Sequence, residues 1–210
     1  MALALVLTAL AGCSSGSAPG GTTAGAGVAG AASGSGFDGA LLPADLSVHP
    51  FTLTDQDGRR VSLRDERGRV TILAFLYTTS RTTAPLIAQQ VRGALDELAS
   101  EPGAGRLPPA LAVSVAPAGD TSAHIRAFLR ANGLAGRLEY LTGSPAQLRG
   151  VWRAYGVTPA SAGAHAYESA AFVVLLDGRG APRVEVPLEE LTPEALAHDV
   201  RRLEGEDRGD

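Results

Sequence analysis

The chain has 210 residues, 45% of them hydrophobic, enough for one domain with a substantial core. Its 18 basic residues, all Arg, stand against 22 acidic ones for a net charge of −4, and their scatter excludes a nucleic-acid-binding patch. The single Cys, Cys13, and the single Met, Met1, lie at the very start, so the folded part can hold neither a disulfide nor a thiolate metal site.

Residues 1–12, MALALVLTALAG, are apolar and uncharged. The run is too short to span a bilayer and has the length of a secretory signal core. Leu10-Ala11-Gly12-Cys13 follows, resembling a bacterial lipobox, in which cleavage precedes the Cys and the Cys then carries lipid. No Lys or Arg precedes Cys13, although a secretory leader carries one, so the natural start is expected a few residues upstream. Ser14 to Gly36 contains only Ser, Gly, Ala, Thr, Pro and one Val. Such a stretch is a flexible tether, with an r.m.s. span of roughly 25–30 Å. The expected organisation is a signal peptide over 1–12, a lipidated Cys13 and tether over 13–41, a folded domain over 42–203 and a charged, frayed tail over 204–210.

Within the domain, Phe51-Thr52-Leu53 and Arg60-Val61-Ser62-Leu63 flank Asp55-Gln56-Asp57-Gly58, an Asp-Gly hairpin signal. The apolar run Ile72-Leu73-Ala74-Phe75-Leu76 marks a central strand over about Val70–Tyr77. A polar loop, Tyr77 to Ala84, leads to Pro85, which suits a first helical position, and Leu86, Ile87, Val91, Ala94, Leu95 and Leu98 keep a helical period as far as Ser100. Ala110 to Val115 reads as a second strand. Asp120-Thr121-Ser122 offers caps for a helix that stops at Asn132-Gly133. Leu138 to Leu141 reads as a strand. Ser144-Pro145-Ala146-Gln147 is a capping box for a helix to Tyr155. Ala170 to Leu176 is a further core strand, and Asp177-Gly178-Arg179-Gly180 turns it into an expected edge strand, Arg183 to Val186. Thr192-Pro193 opens a last helix to about Leu203. Alternation of strands and helices implies an α/β fold, a central mixed sheet flanked by helices.

A strand that feeds a helix through a loop is a common place for chemistry, because the helix start presents unpaired N–H groups and partial positive charge. A thiol there becomes reactive. This loop has none. Ser80 as a nucleophile would need a base and an orienting group, and no Gly-x-Ser-x-Gly surrounds it. Arg81 could attract an anion at the helix start. His124 and His198 fall on predicted helices as solvated or weakly capping side chains, and His49 precedes Pro50 without a spacing signal.

Taken in order, several segments resemble the Sco/SenC family. They are Phe51 to Gly58, Gly68 to Tyr77, Val113-Ser114-Val115 with Pro117, Asp120 and Thr121, Leu141 to Ser144, Tyr155-Gly156-Val157, and Ser169 through Asp177 with Gly180. The resemblance implies a thioredoxin-like fold with an N-terminal β-hairpin, membrane tethering, and a role in copper handling during cytochrome c oxidase assembly. It implies a copper site of two Cys in a Cys-x-x-x-Cys-Pro loop plus a distant His, ligands that suit both copper states. This chain departs at each of those positions. Ser80 and Ala84 stand where the cysteines would be, Glu168 where the His would be, and Ala116 where an acidic residue precedes Pro117. His165 is the one substitute ligand nearby.

The expectation is therefore an extracytoplasmic, lipid-anchored protein with no catalytic residues, no thiol–disulfide enzyme activity, and neither copper nor another cofactor at the family site. Its implied partners are the membrane, through Cys13, and a respiratory oxidase subunit or copper protein. The alternative is a degenerate thioredoxin-fold module that docks a partner protein or small ligand through the old site.

Overall fold

The computed structural model describes residues 36–103, 105–159 and 171–209. Cys13, His165 and Glu168 lie outside the described residues. The strands are β1 (Ala40–Leu41), β2 (Thr52–Thr54), β3 (Arg60–Ser62), β4 (Thr71–Leu76), β5 (Ala110–Ser114), β6 (Glu139–Leu141), β7 (Phe172–Leu176) and β8 (Pro182–Pro187). The α-helices among the described residues are α1 (Thr83–Ala99), α2 (Ser122–Ala131), α3 (Pro145–Ala154) and α4 (Pro193–Arg208), with a 3-10 turn at Leu63–Glu66.

Six strands form one mixed sheet in the order β1-β8-β7-β4-β5-β6. β4 lies near its middle, parallel to β5 and antiparallel to β7. Every residue of β4 is buried, which explains a continuous apolar run rather than an alternating one: both faces of the strand are covered. Each fully buried large aliphatic or aromatic side chain of this strand contributes roughly 1.5–3 kcal/mol to the core. α1 turns Ile87, Ala88, Val91, Ala94, Leu95 and Leu98 inward, as its periodicity predicts. It packs on α4 closely enough that a Cβ on Gly93 would stand 2.7 Å from Pro193 Cγ.

The hairpin β2–β3 forms where Asp-Gly predicts it. Asp55 is buried, and its Oδ1 accepts the N–H groups of Asp57 at 2.8 Å and Arg59 at 2.7 Å. Gly58, at φ 82°, supplies the left-handed turn residue. The Ser144–Gln147 capping box forms as read.

Four expectations need correction. The packed chain begins before Leu42: Phe37 is buried, and β1 pairs Ala40 with Glu185 and Leu41 with Val184. β8 is consequently not an edge strand, because β1 covers it. The 204–210 tail is not frayed through its length: α4 runs to Arg208, held by Arg183–Glu206 at 3.3 Å and by Gly178 N–H donating to Asp207 Oδ2 at 2.6 Å. Pro85 is the third residue of α1, not the first, because Thr83 and Ala84 already have helical geometry. Among the described residues no helix is long and apolar enough to cross a membrane.

Candidate functional site

The polar loop leaves the C-terminal end of β4 and enters α1. Thr82 stands at the N-cap but makes no side-chain capping bond. The cap comes from Ser80 instead, whose Oγ accepts the Ala84 N–H at 3.1 Å. Ser80 is buried, as are Thr83 and Ala84, and Ala84 has no exposed surface. The structure thus brings together two of the three positions that the sequence singles out. From the Ser80 Oγ, Ala84 Cβ is within about 6 Å by bond lengths alone. A thiolate at position 80 would take the same N–H and the same helix-start field that depress a thiol pKa. A serine hydroxyl there supplies a helix cap, and the Ala84 methyl is no ligand.

β7 approaches this end of β4. The register pairs Ala74 with Val173, and Phe172 packs against Phe75 with ring centroids 5.8 Å apart. β7, which follows the third position in sequence, therefore begins beside the end of β4 from which the loop with the first position leaves.

The loop is pinned by a residue whose role the sequence does not reveal. Asp120 is 4% exposed and accepts four hydrogen bonds. Thr78 gives its N–H at 2.8 Å and its hydroxyl at 2.7 Å to Oδ1. Ser114 Oγ, at 2.6 Å, and Tyr140 OH, at 2.9 Å, donate to Oδ2. Trp152 Nε1 then donates to the Ser114 carbonyl at 3.0 Å. One buried carboxylate thereby ties the β4–α1 loop to β5 and β6, with α3 joined through Ser114. Asp120 looks like a helix cap in the sequence, but Thr121 takes that role, its hydroxyl accepting the His124 N–H. The only signal was an Asp beside a better cap.

The other singled-out residues fall elsewhere. Ala116, which stands where the family has an acid, packs partly buried against the core, and its carbonyl accepts the Gly119 N–H at 2.9 Å and the Asp120 N–H at 3.2 Å. His124 places Nδ1 2.9 Å from the Gly119 carbonyl. His49 rests edge-on against Tyr155, 6.0 Å between centroids. The Tyr155 hydroxyl is buried without a partner among the described residues, and burial pushes its pKa well above the ordinary phenol range. His198 does not lie free on its helix: its Nδ1 stands 3.1 Å from Asp38 Oδ2 and 3.2 Å from Asp199 Oδ1. Among the described residues no imidazole or carboxylate hydrogen-bonds Ser80 Oγ, whose observed bond is the one it accepts from the Ala84 N–H.

The mixed sheet and the strand–loop–helix site define a thioredoxin-like protein. A family model described as SCO1/SenC matches residues 40–204, and the chain belongs to that family. It is 31% identical over 108 residues to Protein SCO1 homolog 1, mitochondrial, of Arabidopsis thaliana, covering 51% of this chain. The match spans 31% of that relative's length. The crystal structure of yeast Sco1 superposes with a TM-score of 0.64 at 18% identity, covering 76% of this chain and 95% of that one. The structure of Bradyrhizobium japonicum ScoI with copper bound superposes with a TM-score of 0.55 at 26% identity, covering 74% and 98%.

Proposed function

We propose that this protein is a lipid-anchored, extracytoplasmic member of the family. In this reading it serves copper handling and cytochrome c oxidase assembly without thiol redox chemistry and without the family's copper site. One observation carries the reading. At the loop–helix junction of a well-matched scaffold, a capping hydroxyl and a methyl group occupy positions 80 and 84. Oxygen at a buried cap is a poor ligand for Cu(I), which prefers sulfur.

Such a protein would act by docking rather than by electron or metal exchange. Leu86, one turn into α1 beside the loop, is 41% exposed, which favours a contact surface there. The same observation supports the alternative reading, a module that docks some other partner through this face. Deletion of the gene in its own host distinguishes the two. The expected result is a fall in copper-loaded cytochrome c oxidase in the membranes, restored as fully by a Ser80→Ala chain as by the wild type. Unchanged oxidase after deletion, or failure of Ser80→Ala alone to restore it, would contradict the proposal.

The anchor is tested separately. Mass spectrometry of the N-terminal peptide from membrane-extracted protein should find a diacylglyceryl group on Cys13, with the Gly12–Cys13 bond cleaved. Unmodified Cys13 in that fraction would remove the anchor from the account.

A further inference from the structure

Far from the β4–α1 loop in sequence, three side chains converge where the chain first packs onto the domain. Asp199, on α4, is fully buried. Its two oxygens accept the Asp38 and Gly39 N–H groups at 2.7 and 2.8 Å, which latches the first packed residues onto the last helix. His198 and Asp38 flank it from the solvent side, each about half-exposed. One donor atom from each of the three residues lies within 4.8 Å of the other two.

We propose that Asp38, His198 and Asp199 form a site for a borderline divalent transition-metal ion of the Zn2+ type. Their spacing argues for it. A protonated imidazole paired with a carboxylate usually closes to about 2.7–2.9 Å. Here Nδ1 stands 3.1 Å from one carboxylate oxygen and 3.2 Å from the other. Two ligand bonds of about 2.1 Å at the tetrahedral angle put their donor atoms roughly 3.4 Å apart, so the side chains need open by only a few tenths of an ångström to hold an ion. A single Nδ1 proton can be aimed well at only one of the two oxygens, whereas a dication set among the three donor atoms serves both carboxylates and the imidazole lone pair together. One imidazole and two carboxylates are borderline and hard ligands, suited to a divalent ion and not to Cu(I). Asp199 remains able to hold the two N–H groups, because an ionised carboxylate offers about four acceptor sites. The half-exposed His198 and Asp38 leave the ion a route in and room for water as further ligands.

The consequence is a clamp. The ion would bridge the segment that enters from the tether to the helix that ends the fold, beside Phe37, which already lies under the Arg202 guanidinium at 5.0 Å. This site is independent of positions 80, 84 and 168, and its fate does not depend on the reading of the copper site.

Zn2+ titration of the full chain at neutral pH, followed by calorimetry, tests the proposal, with Asp38→Asn and His198→Ala alongside. Neither substitution removes the N–H bonds that hold the latch. The expected result is one saturable Zn2+ site, weakened at least roughly tenfold by each substitution. Zn2+ should also slow hydrogen exchange at the Asp38 and Gly39 amides in the wild type alone. Three results would overturn it: no saturable binding, binding unchanged in both variants, or a cluster that takes up a proton at His198 but no Zn2+.

Discussion

Made together, Ser80→Cys, Ala84→Cys and Glu168→His are expected to raise the affinity of this protein for copper sharply. The first two positions lie together at the start of α1. Ser80 Oγ already points at the Ala84 N–H, and both residues are buried at the mouth of α1. A thiolate at 80 would keep that hydrogen bond and sit in the positive field of the helix start, which favours the form that binds metal. The third position precedes β7, whose start packs beside β4. Outer-shell partners of a metal already change affinity about 10–100-fold each. Three inner ligands gained together should therefore raise Cu(I) affinity by more than roughly a thousandfold. The two-Cys variant without the His should show an intermediate gain. A folded triple variant with no gain would mean that 80, 84 and 168 are not the family's ligand positions in this chain.

Asp120→Ala is expected to be the most damaging single substitution near the loop. It removes the carboxylate that accepts from Ser114 Oγ, from Tyr140 OH and from both Thr78 donors. Each buried donor left without a partner costs about 1–3 kcal/mol. Allowing for water entering the gap, a loss of about 3–5 kcal/mol is expected in urea unfolding, which places the change among the severe single substitutions. Asp120→Asn keeps the shape but turns an NH2 toward hydroxyl donors, so it should cost less than the alanine change and still be measurable. A loss under about 1 kcal/mol for Asp120→Ala, at an unchanged denaturant slope, would show that the carboxylate does not hold the loop.

The sequence exposed those parts of the fold whose causes are local. The run Ile72 to Leu76 announces a strand covered on both faces, and Ser144 with Gln147 announces a helix start, because each is settled by its immediate neighbours. β1 was hidden for the opposite reason. Two residues, Ala40 and Leu41, carry no periodicity, and only pairing with Val184 and Glu185 makes them a strand. Gly39 hints at that approach, since a Cβ there would stand 2.8 Å from Val184 Cγ1, but the partner cannot be read from one end. Asp199 reads as one more charge on a polar helix, and its partners, the Asp38 and Gly39 N–H groups, lie about 160 residues away in sequence. Asp120 was concealed by Thr121, which takes the capping role and frees the carboxylate to turn inward. Of the candidate site, positions 80 and 84 were legible because the loop keeps the spacing before Pro85. The hydroxyl's use as a helix cap was not, since Thr82 stands nearer the helix start and makes no cap.

Competition of the wild-type protein against a chromophoric Cu(I) chelator tests the central claim most directly. The Ser80 hydroxyl and the Ala84 methyl are predicted to leave the chelator fully loaded, as an unrelated protein without cysteine in its folded part would. Stoichiometric withdrawal of Cu(I) that survives Cys13→Ala would contradict the loss of the site, and with it the reading of this protein as a scaffold that works without the family's metal.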